Sequence, residues 1–372
     1  MISVILLVTF LYFSLIISLI IGFDRISIFN FKIKNNNRKF TIIIPFRNES
    51  INIKELVTSL ALLDYPISNY EIIFINDSST DNSVPLLTEF IIKNSNWKLI
   101  DSVRKTNSPK KDAINTAINH AKYDWIITTD ADCKVPKKWL QSFNSFMEDN
   151  PTIKMIAAPV SYAVNNSFLH QFQLLDFLSL IGTTIGSFGI NKPFMCNGAN
   201  LCYSKQLFFD LNGFVGNDNL ASGDDVFLLE KAISKYPKQV KYLKTKEALV
   251  LTKPESDFKS LVSQRIRWAS KTSATKSTFG KLTGILVFLQ NGILIWSLIF
   301  GLWSVNYTFF AIGIFLSKLL VDYILLKKTY EFVDQKLNVI NYLLSSLVYP
   351  FFVVFVVIKS FFTKVQWKGR EF

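Results

Sequence analysis

The chain has 372 residues, of which 49% are hydrophobic, and it carries a formal net charge of +13. The apolar share argues against a purely soluble protein, and three cysteines (Cys133, Cys196, Cys202) fit a reducing compartment and no disulfide framework. The basic residues are scattered and form no nucleic-acid motif, so the charge points to anionic lipid headgroups rather than to nucleic acid.

Residues 1–23 hold no charge and match the roughly 20 apolar residues that a membrane-spanning helix needs. A cleaved signal peptide is the competing reading. The run lacks a basic start, exceeds the usual apolar length and is followed by no small-x-small cleavage site, which favours a retained anchor. Arg25, Lys32, Lys34, Arg38 and Lys39 follow closely, and by the positive-inside tendency this end faces the cytosol.

A cytosolic unit is expected over 38–275. FTIIIPF (40–46) reads as a buried strand and 50–63 as a helix, then EIIFIND (71–77) as a strand and 81–94 as a helix. WKLIDSV (97–103) is a third strand, followed by a helix over 109–121 that opens on proline. DWIITTD (124–130), a helix over 136–149 and IKMIAAP (153–159) continue the pattern. Strands alternating with helices predict βαβ units around a parallel sheet, with ligands bound beyond the carboxyl ends of the strands. Asp77 and Asp130 end the second and fourth strands and so fall on that rim.

Residues 165–190 are apolar with one charge, Asp176, and fit either a core helix or an interfacial helix lying on the membrane. The region 281–362 is expected to be membrane-embedded. Positions 282–317 are free of charge, enough with 318–326 for two spans, and 337–358 form another uncharged run. Lys318 and Asp322 fall at i, i+4 within this region and read as a buried pair. Lys364, Lys368 and Arg370 favour a cytosolic tail over 363–372. Residues 337–358 are then a third span or, bent at Pro350, a re-entrant hairpin, and an even number of crossings after residue 281 is expected.

Asp130-Ala131-Asp132 offers two carboxylates to a hard divalent cation while leaving positions for phosphate oxygens, although such a triplet is often only a solvated loop. Asp77 is either a helix cap or an acceptor for the N–H of a nucleobase. Lys110 and Lys111 stand in the first turn of a helix, where cations oppose the helix dipole; phosphate contact or simple solvation would explain them. Ser222-Gly223-Asp224-Asp225 precedes an amphipathic helix, and Asp225 suits a general base. Gln264, Arg267 and Trp268 of QRIRW share one helical face that suits a sugar or diphosphate.

In this order, the segments resemble the membrane-bound family 2 glycosyltransferases, similar to cellulose and hyaluronan synthases and ceramide glucosyltransferase. TIIIPFRNES (41–50) resembles the opening strand and loop, with Pro45, Arg47 and Glu49 at the donor site. FINDSSTDNS resembles the nucleoside-binding turn, with Asp77 on the base, and KKDAIN the segment that brings Lys110 near the diphosphate. TDADC, GDD, QRIRW and the closing WKGR (367–370) complete the likeness. Asn76 and Asp224 stand where many members have aspartate and glutamate.

The resemblance implies a glycosyltransferase A-type, Rossmann-like, mostly parallel α/β sheet with transmembrane helices at both ends. It implies a Mn2+ or Mg2+ ion on Asp130 and Asp132, and Asp225 as base. The activity expected is inverting transfer from a nucleotide-sugar donor, a UDP-sugar, to a lipid or lipid-linked acceptor at the cytosolic membrane face. A processive polysaccharide synthase with a glycan acceptor is the alternative, and a non-catalytic membrane subunit a third. Membrane lipids are expected partners.

Overall fold

The computed structural model describes residues 2–31, 37–217, 220, 222–301, 305–363, 366–367 and 370–371. Lys32, Lys34, Lys364 and Lys368, which bear on the orientation argument, lie outside them. Helix α1 (Ile2–Arg25) leads into β1 (Phe40–Phe46), α2 (Ser50–Ala61), β2 (Tyr70–Asn76), α3 (Ser83–Ile91), β3 (Trp97–Asp101), α4 (Pro109–His120), β4 (Trp125–Thr128) and α5 (Trp139–Asp149). There follow β5 (Met155–Ala157), β6 (Val160–Tyr162), α6 (Phe168–Gly189), β7 (Leu201–Ser204), α7 (Lys205–Asp210), α8 (Asp224–Lys235), β8 (Val240–Tyr242) and β9 (Val250–Thr252). Helices α9 (Phe258–Ala274), α10 (Thr278–Gly301), α11 (Val305–Phe332) and α12 (Val339–Ser360) precede a short hairpin, β10 (Gln366–Trp367) and β11 (Arg370–Glu371).

The main sheet runs β3-β2-β1-β4-β7-β5-β8. Strands β1 to β4 are all parallel, and the register sets Phe46 beside Asn76 and Ile43 beside Thr128. The turns after β1, β2 and β4 therefore open at one rim. Pro45 is tolerated inside β1 because pairing with β4 ends at Ile43, so its missing N–H lies beyond the doubly paired part of the strand.

The sheet is mostly parallel, as expected, with one exception. β7 inserts antiparallel between β4 and β5. Its four residues, LCYS, follow a helix and a long loop and carry too little period-2 pattern to stand out. Asp77 and Asp130 lie just past the ends of their strands, in the turns, rather than within them.

Among the described residues four helices, α1, α10, α11 and α12, are long and apolar enough to cross a membrane. Helix α6 belongs with the core: most of its residues are buried, and it packs on α1, α11 and α12. Its contact with α1 requires glycine. A Cβ on Gly189 would lie 1.8 Å from the Gly22 carbonyl oxygen, and one on Gly186 would lie 2.4 Å from that of Leu19. Beyond α1, the buried Lys244 donates to the carbonyls of Phe23 (2.7 Å) and Ile26 (2.9 Å), satisfying acceptors that a helix end leaves open.

The hairpin expected at Pro350 is not formed: α12 is one helix through that proline. Pro350 is buried in the helix packing, and neighbouring helices are what make such a residue tolerable within an apolar helix. Lys318 and Asp322 form the expected pair at 2.5 Å, joined by the Tyr12 hydroxyl, which donates to Asp322 at 2.7 Å.

Replacing Gly189 with valine should force α1 from α6, at a cost of about 1–3 kcal/mol for overpacking. Thermal unfolding of the detergent-solubilised protein would register this as a lowered midpoint. An unchanged midpoint would mean that the close approach is dispensable.

Candidate active site

The rim of the sheet is built from the turns its strands release. Arg47 donates to the carbonyls of Asp77 (2.7 Å) and Ser78 (2.6 Å), so the β1 turn holds the backbone of the β2 turn. Asp77 is buried, and both of its carboxylate oxygens accept charged hydrogen bonds: Oδ1 from Arg104 and Oδ2 from Arg370, each at 2.7 Å. Asp77 does not cap a helix. That task falls to Asp81, which accepts the N–H groups of Ser50 and Ser83 at 3.0 Å each.

The two adjacent lysines separate. Lys110 stands 2.6 Å from Asp130 and 3.5 Å from Asp224, bridging the turn after β4 and the start of α8. Burial opposes its charge, but these carboxylates outweigh that and keep the ammonium protonated well above its ordinary range. Lys111 turns away and donates to the carbonyls of Asn217 (2.5 Å) and Leu220 (2.9 Å) in the segment before α8.

Asp132 is pushed up to about 6, first by burial and then by the negative charge of Asp130 and Glu49. Gly223 (φ +87°) turns the chain into α8, and the Phe227 ring lies where a side chain would go, 2.5 Å from an ideal Cβ. Asp225 follows, accepting the N–H groups of Val226 (2.8 Å) and Gly198 (3.0 Å). Burial works to raise its carboxyl, yet Lys271 at 3.7 Å and Lys110 outweigh it and hold the group ionised below the usual range.

Gln264, Arg267, Trp268 and Lys271 reach the same space from α9. One cavity of about 1540 Å³ is lined by all of Pro45, Arg47, Glu49, Asp77, Lys110, Asp130, Asp132, Asp225, Gln264, Arg267 and Trp268.

Comparison with known proteins then gives the family. Residues 41–208 match the model of glycosyl transferase family 2, and residues 125–361, more than half of the chain, that of glycosyl transferase family group 2. The chain belongs to glycosyltransferase family 2.

A poly-beta-1,6-N-acetyl-D-glucosamine synthase of Staphylococcus epidermidis is 26% identical over 234 residues, covering 62% of this transferase and 53% of the relative. The synthase of that name from Staphylococcus aureus (strain COL) is 28% identical over 142 residues, covering 38% and 33%. The chain thus spans about half the length, or less, of these curated relatives. Among solved structures, the mannosyltransferase PcManGT from Pyrobaculum calidifontis, in complex with GDP-Man and Mn2+, superposes with a TM-score of 0.56 at 16% identity, covering 96% and 98%. That likeness is one of fold, the glycosyltransferase A type.

The structure brings together every site residue expected from the sequence, with Asp130 in the turn beyond β4. Arg104 and Lys271 escaped the sequence reading, and Arg370 entered it only through the basic tail and the closing WKGR, with no place at Asp77. Lys271 was within reach, since it lies one helical turn beyond Arg267. Arg370 was not: it belongs to a hairpin some 290 residues from Asp77 in sequence.

The donor set fits a hard divalent ion. Asp130 and Asp132 present carboxylate oxygens and Glu49 adds negative charge nearby; the Asp132 carboxyl is raised first by burial and then by these neighbours, whose repulsion a cation would relieve. Among the described residues no group of three or more His, Cys, Asp or Glu side chains could hold a metal ion.

A metal needs the Asp132 carboxylate ionised. Because the free carboxyl holds its proton up to about pH 6, Mn2+ affinity should rise through pH 6 and level off above it. Calorimetric titration at several pH values between about 5 and 8 checks this. A flat profile would take Asp132 out of the ligand set.

Proposed function

We propose that this protein is an inverting glycosyltransferase that moves a sugar from a nucleotide-sugar, a UDP-sugar, to a lipid or lipid-linked acceptor at the cytosolic membrane face. The observation that carries the reading is the continuity of the cavity. It extends from Asp77, Asp130 and Asp132 past Asp225 to a wall of Leu180 and Ile181 on α6, Gly284 on α10, and Val353 and Val356 on α12. Such a wall accepts an acyl or prenyl chain, with the acceptor headgroup at Asp225.

In this reading Asp77, the anchor of the β2 turn, meets the nucleoside, while Lys110 and Arg267 face the diphosphate and stabilise its departure. Asp130 and Asp132 would hold a divalent cation, which when bound neutralises charge on the leaving nucleotide. Asp225, kept ionised by Lys271, takes the proton of the acceptor hydroxyl as that oxygen attacks the anomeric carbon from the face opposite the diphosphate. One displacement inverts configuration, and no enzyme nucleophile is required.

The same geometry supports the topology. The segment after α11 reaches the catalytic unit through the Lys246–Asp334 pair at 3.2 Å, and the segment after α12 does so through Arg370. On this reading α10 with α11 makes the even pair of crossings, and α12, one continuous helix whose two ends both adjoin the catalytic unit, lies along the membrane face without crossing it.

A processive polysaccharide synthase is the second reading, favoured by one feature besides the names of the relatives. Thr283, Gln290 and Ser297 recur every seven residues on α10, are buried, and have side-chain polar atoms without hydrogen-bond partners among the described residues. Thr283 lines the cavity, so this stripe leads from the cleft along the helix and would offer hydrogen bonds to a glycan.

Purified protein with membrane lipids, a panel of nucleotide-sugars and Mn2+ or Mg2+ should release one nucleotide in a metal-dependent way. Asp132→Ala should abolish the release, and Asp225→Asn should slow transfer by about 10²–10⁴-fold. A fully active Asp225→Asn removes Asp225 as base. Sizing the product separates the acceptors: one added sugar supports the lipid reading, whereas a polymer ladder transfers the assignment to the synthase. A tag after residue 372 should be cleaved only from the cytosolic side; cleavage from outside would overturn the topology.

A further inference from the structure

Asp176 is the only charge in the long apolar stretch that forms α6, and it plays no part in the chemistry above. It is buried, and its Oδ2 accepts from Nε of the equally buried Arg265 at 2.5 Å. Arg265 lies inside QRIRW but is not one of the three residues that the cleft motif uses. Its guanidinium is layered over the Trp268 ring at 4.2 Å and donates through Nη1 to the Gln264 side-chain oxygen and to the Tyr162 hydroxyl. One turn earlier on α6, the fully buried Gln173 forms a two-way clamp on the backbone of Glu255: its amide donates to the carbonyl at 2.9 Å and its oxygen accepts the N–H at 2.8 Å. The Glu255 carboxylate in turn accepts from the Gln264 amide at 2.7 Å.

Two arginines two positions apart point about 200° apart around a helix. Both arginines border the cavity, but Arg265 is held against α6 by its buried pair with Asp176, whereas Arg267 is left among Asp130, Asp224 and Asp225. The fixed carboxylate on α6 selects which arginine it takes, because a buried carboxylate left unpaired is strongly unfavourable. The carboxylate is itself fixed, since α6 is locked to α1 at glycine contacts that leave no room to slide.

We propose that Asp176 and Gln173 are positioning residues for transfer: by clamping Arg265 and Glu255 they set the rotation of α9 that presents Gln264, Arg267 and Trp268 to the cleft. This rests on the reading of the cleft as the site of glycosyl transfer. The two residues touch α9 and the loop before it, and they act through Arg267 and its neighbours.

The test is a double-mutant cycle on the full-length protein in detergent with lipids, pairing Asp176→Asn with Arg267→Ala and following nucleotide release. Asp176→Asn should lower kcat about 10- to 100-fold, as misplacement of a catalytic group does, while the donor KM stays within about threefold. In the Arg267→Ala background the same substitution should have little further effect, because the group it positions is gone. Asp176→Glu, which keeps the charge, should recover part of the rate. If Asp176→Asn fails to fold, Gln173→Ala carries the same cycle. Equal losses in both backgrounds, or a lowered melting midpoint with unchanged kcat, would overturn the proposal. A wild-type protein that releases no nucleotide would remove the transfer reading and this proposal with it.

Discussion

Acidic side chains gather at one rim of this protein because the topology leaves no other place for them. The turns after β2 and β4 and the start of α8 deliver Asp77, Asp130, Asp132, Asp224 and Asp225 to a common opening. Like charges this close would repel, and burial would make the repulsion worse. The cation that resolves the conflict is Lys110, which stands between Asp130 and Asp224. Lys271 does the same for Asp225, and Arg104 and Arg370 for Asp77. The cleft is thus an alternation of charges fixed by the sheet. Asp132, whose affinity for protons is pushed up by burial and by its acidic neighbours, sits where an ion is the natural complement.

The second constraint is the attachment of this rim to the membrane helices. α1 and α6 meet backbone to backbone at glycine, Lys244 closes the end of α1, and Lys328 pairs with Asp24 at 2.9 Å. The sheet and its cleft are therefore bolted to α1 and do not hang from a linker. Helices α10 and α12 add side walls to the cavity, so the site is shared between sheet and bundle.

Much of this was legible in the sequence. The β-branched run FTIIIPF marks β1 residue for residue, and proline at 109 marks the first residue of α4. The acidic turns were readable because rim positions follow from strand ends. What was not legible depends on distance in the chain. The antiparallel β7 is specified by its neighbours in the sheet rather than by its own four residues. Lys110 and Lys111 look alike in sequence, and only the fold sends one to the carboxylates and the other to the loop before α8. Asp176 read as a lone charge on an apolar helix, because its partner is 89 positions away. Pro350 signalled a break that packing cancels.

Arg370 carries one further implication. It follows all four apolar helices in the chain, yet it completes the ion pairs of Asp77, which lies before most of them. During synthesis, the turn that holds Asp77 is translated long before its second arginine exists. A nascent or truncated chain lacking that arginine presents the turn with half of its counter-charge. The Asp77 turn thus reaches its final electrostatic state only after α10, α11 and α12 have been made.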